Sequence, residues 1–213
     1  MSVSHAPRDS VLTEALLRAF ALLTYGVFVW NVALHWWADT SRYTLLLLVL
    51  TESFTLMLVL FARRAVVRDL APVAMGATIY AAFFFVLFGY TDTVRLVPEW
   101  AGATLQFIGL AWQVTAKATL GRSFGLLPAQ RGLITSGPYR VVRHPIYLGY
   151  LISHIGFLLS NFSVHNLLVL VLLYVAQAVR MWREESMLKA GEQQAAYTAY
   201  CAAVRYRIVP FVY

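Results

Sequence analysis

Between Tyr43 and Phe61 the chain reads YTLLLLVLTESFTLMLVLF, with Glu52 as its one charged residue. A run of this length is close to the roughly 20 apolar residues that cross about 30 Å of hydrocarbon as a helix. Three further runs precede residue 117: about 15–36, Pro72–Tyr90, and the less apolar Pro98–Ala116. Of the 213 residues, 60% are hydrophobic and 13% are charged. Soluble domains carry about 25% charge, so the chain is expected in a membrane, as one domain (1–213) whose core is shared with lipid.

After a polar stretch at 117–144 come PIYLGYLISHIGFLLS (145–160) and LLVLVLLYVAQAVRMW (167–182), joined by a connection containing NFSVHN. Each has 16 residues, roughly 24 Å as a helix. They are expected to form a tight helical hairpin that either spans a thinned bilayer or stops slightly short. A surface helix is expected over Glu192–Val204. The fold class is therefore an all-α polytopic membrane helical bundle, with about five to six membrane segments. Residues 1–116 supply N-terminal membrane helices, and 117–213 the functional half. The polar N-terminus, MSVSHAPRDS, carries no sign of a removable signal peptide.

The net charge of +7 does not point to nucleic acid, because the cations sit between apolar runs and read as topology signals. Fifteen Lys and Arg fall in the N-terminus, 62–71, 117–144 and the C-terminal part, against Arg42 and Arg95 in the alternate loops. Both termini and the 117–144 stretch are thus expected to be cytoplasmic. The single cysteine, Cys201, excludes an intrachain disulfide and any site built from several cysteines. No His, Cys and carboxylate spacing demands a metal.

The chemistry concentrates in GPYRVVRHPIYLGY, residues 137–150. Gly137-Pro138 predicts a turn. His144 precedes Pro145 and is pushed out of the α region, while Pro145 suits the first position of a helix. His144 then sits at a helix mouth, where free backbone N–H groups would favour a carboxylate or phosphate. Tyr147 and Tyr150 follow at i+3 spacing. Gly149 admits either another backbone or a flat ligand. A second cluster, RMWREESMLKAGEQQAAYTAY, occupies 180–200. Arg180 and Glu184 share a helix face at i, i+4, and Glu185 projects about 100° away. Gly191 is expected to end this helix. Because the hairpin returns to its starting side, both clusters are expected to meet on one rim. A histidine, carboxylates, an arginine and aromatic rings there suit a zwitterionic cofactor with an aromatic base, or an acyl or phosphoryl headgroup.

The pattern GPY-x-x-x-RHP-x-Y-x-G followed by R-x-x-x-EE-x-x-L and Y-x-x-Y resembles the isoprenylcysteine carboxyl methyltransferases. These integral membrane enzymes use S-adenosyl-L-methionine and are related to the phospholipid methyltransferases. The resemblance covers roughly residues 117–210. It implies a cytoplasmic-rim cofactor pocket lined by Tyr139, Arg143, His144, Pro145, Tyr147, Gly149, Glu184 and Glu185, with Leu120–Phe124 and Gly132–Thr135 shaping its wall. It makes Arg180 the candidate for orienting a substrate carboxylate, and Glu184, with His144, a candidate base for an amine or thiol. The acceptor it implies is a lipid or lipid-linked molecule drawn from the bilayer. O-methylation, N-methylation and S-methylation all remain open. So do a sterol-reductase-like enzyme with a nicotinamide cofactor and a non-enzymatic lipid-binding bundle.

Other residues have plainer readings. Arg140 and Arg143 are candidates for interfacial anchors, and Tyr197 and Tyr200 for packing in an aromatic belt. Glu52, at mid-span, is expected to be protonated or paired with Asn31 or another helix, as a structural clamp or a catalytic group. His35, beside Trp36 and Trp37, is expected at an interface. His154 is expected to hydrogen-bond a neighbouring helix.

Overall fold

The computed structural model describes residues 8–61, 71–120, 133–190 and 194–212, with side chains from residue 18 onward and not at 58–61. Among the described residues, seven α-helices form a helical membrane bundle: α1 (Arg8–Ala38), α2 (Tyr43–Phe61), α3 (Pro72–Phe83), α4 (Glu99–Leu120), α5 (Pro145–Ser160), α6 (Val164–Ala190) and α7 (Gln194–Ala203). Arg18–Ala38 and Val164–Ala190 are long and apolar enough to cross a membrane, and Tyr43–Met57, Pro72–Leu87 and Pro145–Ser160 are shorter apolar helices. Large apolar side chains face outward on these helices, among them Leu23, Trp30, Val73, Ile79, Leu168 and Val175. Such an apolar surface is what a lipid-facing bundle presents.

Three boundaries differ from expectation. The run expected as one helix to Tyr90 leaves α geometry at Phe83 and continues as a 3₁₀ turn, Phe84–Leu87. Phe84, Phe85 and Phe88 all enter the core, their rings packing edge-on or tilted against His154, Phe28 and Phe157. Beyond them, the Asn166 side chain accepts from the Gly89 N–H and donates to its carbonyl, both at 2.9 Å. Those bonds replace the helical partners the backbone gives up. Helix α4 continues to Leu120, and α6 begins at Val164, so the return arm has 27 residues rather than a short span. The Gly191 stop lies outside the described residues.

The expected tight hairpin is also different. Helix α5 packs mainly on α4, and only lightly on α6. The reason is glycine at matched levels. A Cβ on Gly109 would lie 2.6 Å from the Gly149 carbonyl oxygen and 2.5 Å from the Ser153 nitrogen. A Cβ on Gly156 would lie 2.5 Å from the Gly102 carbonyl oxygen. Small residues let two backbones touch in a membrane, where packing takes over from the hydrophobic effect. Gly109→Leu is therefore expected to destabilise the bundle by at least about 1–3 kcal/mol. A lowered thermal midpoint in detergent, with Gly26→Leu near wild type, checks this, since nothing lies within 4 Å of a Cβ at Gly26.

The end of the bundle remote from residue 144 is closed by a polar knot. Arg42 donates to the Tyr90 carbonyl (3.0 Å), Thr93 Oγ1 (3.3 Å) and Asn161 Oδ1 (2.6 Å). Asn161 Nδ2 donates to Thr44 Oγ1 at 2.9 Å, and Thr44 donates through its N–H and hydroxyl to Glu99 Oε1. Arg42 and Arg95, the two cations of the alternate loops, both lie here, with Arg95 on Asp39. Asn161 and Asn166 come from the NFSVHN connection, whose polar residues are therefore internal bonding partners.

The plainer expectations largely have structural counterparts. His154 Nδ1 lies 2.9 Å from the Tyr174 hydroxyl, joining α5 to α6. His35 bonds the Asn31 carbonyl at 2.8 Å and lies against Tyr90, with ring centroids 5.3 Å apart. Asn31 is exposed and Glu52 buried; the cation within electrostatic reach of Glu52 is Lys117.

Candidate functional site

The site is built where the start of α5 meets the end of α6. Gly137 adopts φ +57, a conformation that favours glycine, and starts the 3₁₀ turn Gly137–Arg140. That turn buries Pro138 and Tyr139 and leaves Arg140 exposed. His144 follows at φ −124, ψ 64, outside the α region, as a residue before proline should be. Pro145 opens α5, and its carbonyl accepts a bond from Trp112 Nε1 at 2.9 Å.

The segment leading into α5 is tied to the C-terminal residues. The Arg143 N–H donates to the Tyr206 carbonyl at 2.9 Å, and the His144 N–H to the Arg207 carbonyl at 2.8 Å. A C-terminal strap, residues 204–209, thus takes the two amides that precede α5. Ile208 and Val209 pack with Tyr147 and Met181. Tyr200 of α7 donates its hydroxyl to the Tyr139 carbonyl at 2.7 Å. Burial pushes the Tyr200 phenol up to about 12, so it remains a donor at neutral pH. Tyr197 and Tyr200 are both buried and pack on each other and Val204. This is packing, as the plainer reading expects, between α7 and the start of the strap.

The two carboxylates of α6 have different surroundings. Glu185 is 2% exposed. Its Oε1 lies 3.0 Å from Arg143 Nη1 and 3.2 Å from His144 Nε2, and its Oε2 lies 3.2 Å from Arg207 Nη2 and 3.9 Å from Lys189 Nζ. Arg143 also donates to Cys201 Sγ and to the Arg205 carbonyl, each at 3.3 Å. Arg143 is accordingly an internal clamp, and not an anchor standing free at an interface. Glu184, the residue before Glu185, is about a quarter exposed. Its Oε1 accepts from the Tyr147 hydroxyl at 3.1 Å, and its Oε2 lies 3.8 Å from His144 Nδ1. Arg180 is buried, donates to Gln177 Oε1 at 3.1 Å, and places its guanidinium 5.8 Å from the Tyr147 ring centroid.

Arg143, His144, Tyr147, Arg180, Glu184 and Glu185 therefore lie in one connected cluster; Pro145 follows His144 in the chain and bonds Trp112, and Tyr139 bonds Tyr200. Gly149 does not turn toward it. A Cβ there would meet Gln113 Cγ at 2.5 Å and the Gly109 carbonyl oxygen at 2.9 Å, so its close approach is to the α4 backbone. Of the proposed wall segments, Leu120 and residues 133–135 are described, and 121–132 lie outside the described residues. Sequence reasoning missed Arg207 as a partner of Glu185. The run RYRIVP has no helical or strand period, and its arginines count equally well as topology signals.

A partly exposed carboxylate, an imidazole beside it, two aromatic rings and a buried guanidinium can bind a small polar molecule with an ammonium or hydroxyl groups. Residues 97–191, which take in α4, α5 and α6, match the family model described as phospholipid methyltransferase. Over that stretch, just under half of its length, the chain is similar to the phospholipid methyltransferases.

Proposed function

We propose that the protein is an S-adenosyl-L-methionine-dependent methyltransferase whose cofactor is held at the α5–α6 rim, and whose acceptor is a lipid or lipid-linked molecule. The observation that carries this reading is the Tyr147–Glu184 hydrogen bond with Arg180 over the same ring. It joins both sequence clusters in one place. The donor set fits the cofactor: Glu184 suits an ammonium or ribose hydroxyls, and the His144 and Tyr147 rings, 5.6 Å apart, suit an aromatic base. S-adenosyl-L-methionine supplies a methyl group already activated by its sulfonium.

The chain's residues then mainly position and orient. Glu185 fixes His144 and Arg143, and acts on the site through them. Tyr147 fixes one oxygen of Glu184. For a carboxylate acceptor, ionised at neutral pH, Arg180 holds the oxygens and no base is needed. This is the isoprenylcysteine carboxyl O-methyltransferase reading. The family match favours phospholipid N-methylation equally. There, His144 or Glu184 would take the proton from the amine. The excess of Lys and Arg on the site's side supports a chain that crosses the bilayer several times, with both termini and the site cytoplasmic. The soluble cofactor and the lipid acceptor would then meet at the boundary each can reach.

Purified protein in detergent is expected to bind S-adenosyl-L-methionine saturably. His144→Ala and Glu184→Ala are each expected to weaken this about tenfold or more while remaining folded. Absence of binding to well-folded wild-type protein overturns the reading. A labelled methyl donor offered with prenylated cysteine, aminophospholipid and small thiols then separates O-, N- and S-transfer.

A further inference from the structure

Arg207 lies beyond residues 97–191, the stretch similar to the phospholipid methyltransferases, and in a segment of no regular period. Its neighbours are nevertheless the groups of the site. Its carbonyl accepts the His144 N–H at 2.8 Å, and its Nη2 lies 3.2 Å from Glu185 Oε2. The other oxygen of Glu185 takes Arg143 Nη1 at 3.0 Å and His144 Nε2 at 3.2 Å. One residue of the strap thus holds His144 twice, once by its backbone and once through a carboxylate. Ile208 and Val209, the next two residues, pack with Tyr147 and Met181 and keep the strap in place.

The contact at Nε2 decides where the imidazole carries its hydrogen. Glu185 is 2% exposed, with Arg143 and Arg207 on its two oxygens and Lys189 at 3.9 Å, so its anion is paired on both sides. A carboxylate only accepts. Nε2 therefore carries the hydrogen, and the neutral ring keeps a bare lone pair on Nδ1. That atom lies 3.8 Å from Glu184 Oε2, outside hydrogen-bond distance. Glu184 Oε1, by contrast, already accepts from the Tyr147 hydroxyl at 3.1 Å. Of the two candidate bases, His144 is the one whose lone pair is left uncommitted by its neighbours.

We propose that Arg207 is a positioning residue: through Glu185 it fixes His144 in the tautomer whose Nδ1 takes a proton from the acceptor. The proposal rests on the methyltransferase reading and concerns acceptors that must lose a proton. Their N–H or S–H bond breaks, its electron pair stays on the nitrogen or sulfur, and the proton passes to Nδ1 and then to water. Arg207 has a second effect, because its positive charge offsets part of the negative field that Glu185 sets up at the ring. The titratable and charged groups facing His144 are Glu184 and Glu185 from α6, Arg143 and Tyr147 from its own segment, and Arg207 from the strap. Arg180 and Lys189 stand one contact further out, on Tyr147 and Glu185. Helix α4 brings Trp112, which does not titrate, to the neighbouring Pro145.

The full chain in detergent, with isotope-labelled histidine, tests this first without turnover. His144, identified by the signal lost in His144→Gln, should show a protonated Nε2 and a bare Nδ1 when the ring is neutral. The opposite tautomer overturns the proposal. Methyl transfer to an aminophospholipid or a small thiol is then followed against pH. Arg207→Gln removes the offsetting cation, so the ring keeps its proton to higher pH, and the acid limb of kcat/KM should move up by at least about half a pH unit. Glu185→Gln removes the anion, and the limb should move down. Arg207→Lys keeps the charge and should restore the limb to its wild-type place. Damage to the fold produces no such pair of opposite shifts, since it lowers the rate at every pH. An unmoved limb in folded Arg207→Gln, two shifts of the same sign, or transfer to a carboxylate acceptor alone overturns the proposal. If Arg207→Gln does not fold, the limb of Arg207→Lys and the wild-type tautomer decide. Wild-type protein with the Nε2–H tautomer that binds no S-adenosyl-L-methionine refutes the methyltransferase reading separately, and binding with the opposite tautomer refutes the role of Arg207 alone.

Discussion

Glu185→Ala is expected to cost about 3–5 kcal/mol of stability, because it removes the anion from a buried cluster and leaves its cations facing one another. Arg143, His144 and Arg207 all point at this carboxylate, which is 2% exposed. Truncation would also free the strap, since Arg207 joins Glu185 through its guanidinium and His144 through its carbonyl. The thermal midpoint in detergent should fall, and the C-terminal residues should become susceptible to limited proteolysis. Glu185→Gln keeps the shape and an acceptor oxygen, and should lose less stability. An alanine variant as stable as wild type would show that the cluster is not holding the mouth of α5.

Arg180→Met is expected to lower kcat/KM for a carboxylate acceptor by about 10²–10³, the usual cost of removing one preorganised donor to a reacting oxyanion. S-adenosyl-L-methionine affinity should stay within about twofold, which separates a role toward the acceptor from one toward the cofactor. Arg180→Lys should recover only part of the rate, because a lysine cannot offer two parallel donors. With an aminophospholipid acceptor the largest loss should move to His144→Ala and Glu184→Ala, since the amine must lose a proton. Assaying the three variants side by side with both acceptor classes therefore distinguishes O- from N-transfer. A carboxylate acceptor turned over at the wild-type rate by Arg180→Met would remove this arginine from the mechanism.

Much of the fold was legible from runs and punctuation. Helices α2 and α5 have the boundaries read from the sequence, because an apolar run flanked by Arg42 in one case and Pro145 in the other admits few alternatives. The end of α3 was not legible. It depends on Asn166, 77 residues away, accepting and donating the bonds of Gly89. The pairing of α5 with α4 was hidden for a similar reason. Gly102, Gly109, Gly149 and Gly156 acquire meaning only when two helices put them at matched levels.

By itself, the sequence determined the chemistry and its address: which residues carry charge in an apolar chain, that proline places His144 at a helix start, and that i, i+4 spacing joins Arg180 to Glu184. These are local consequences of backbone sterics and helical period. Tertiary structure decided which of those groups face each other. It sent Glu185 to a nest of cations and Glu184 to Tyr147, tied the segment leading into α5 to a strap of no regular period, and turned Lys117 inward beside Glu52. Such choices depend on contacts between residues far apart in the chain, where burial makes each unpaired charge costly and so fixes its partner.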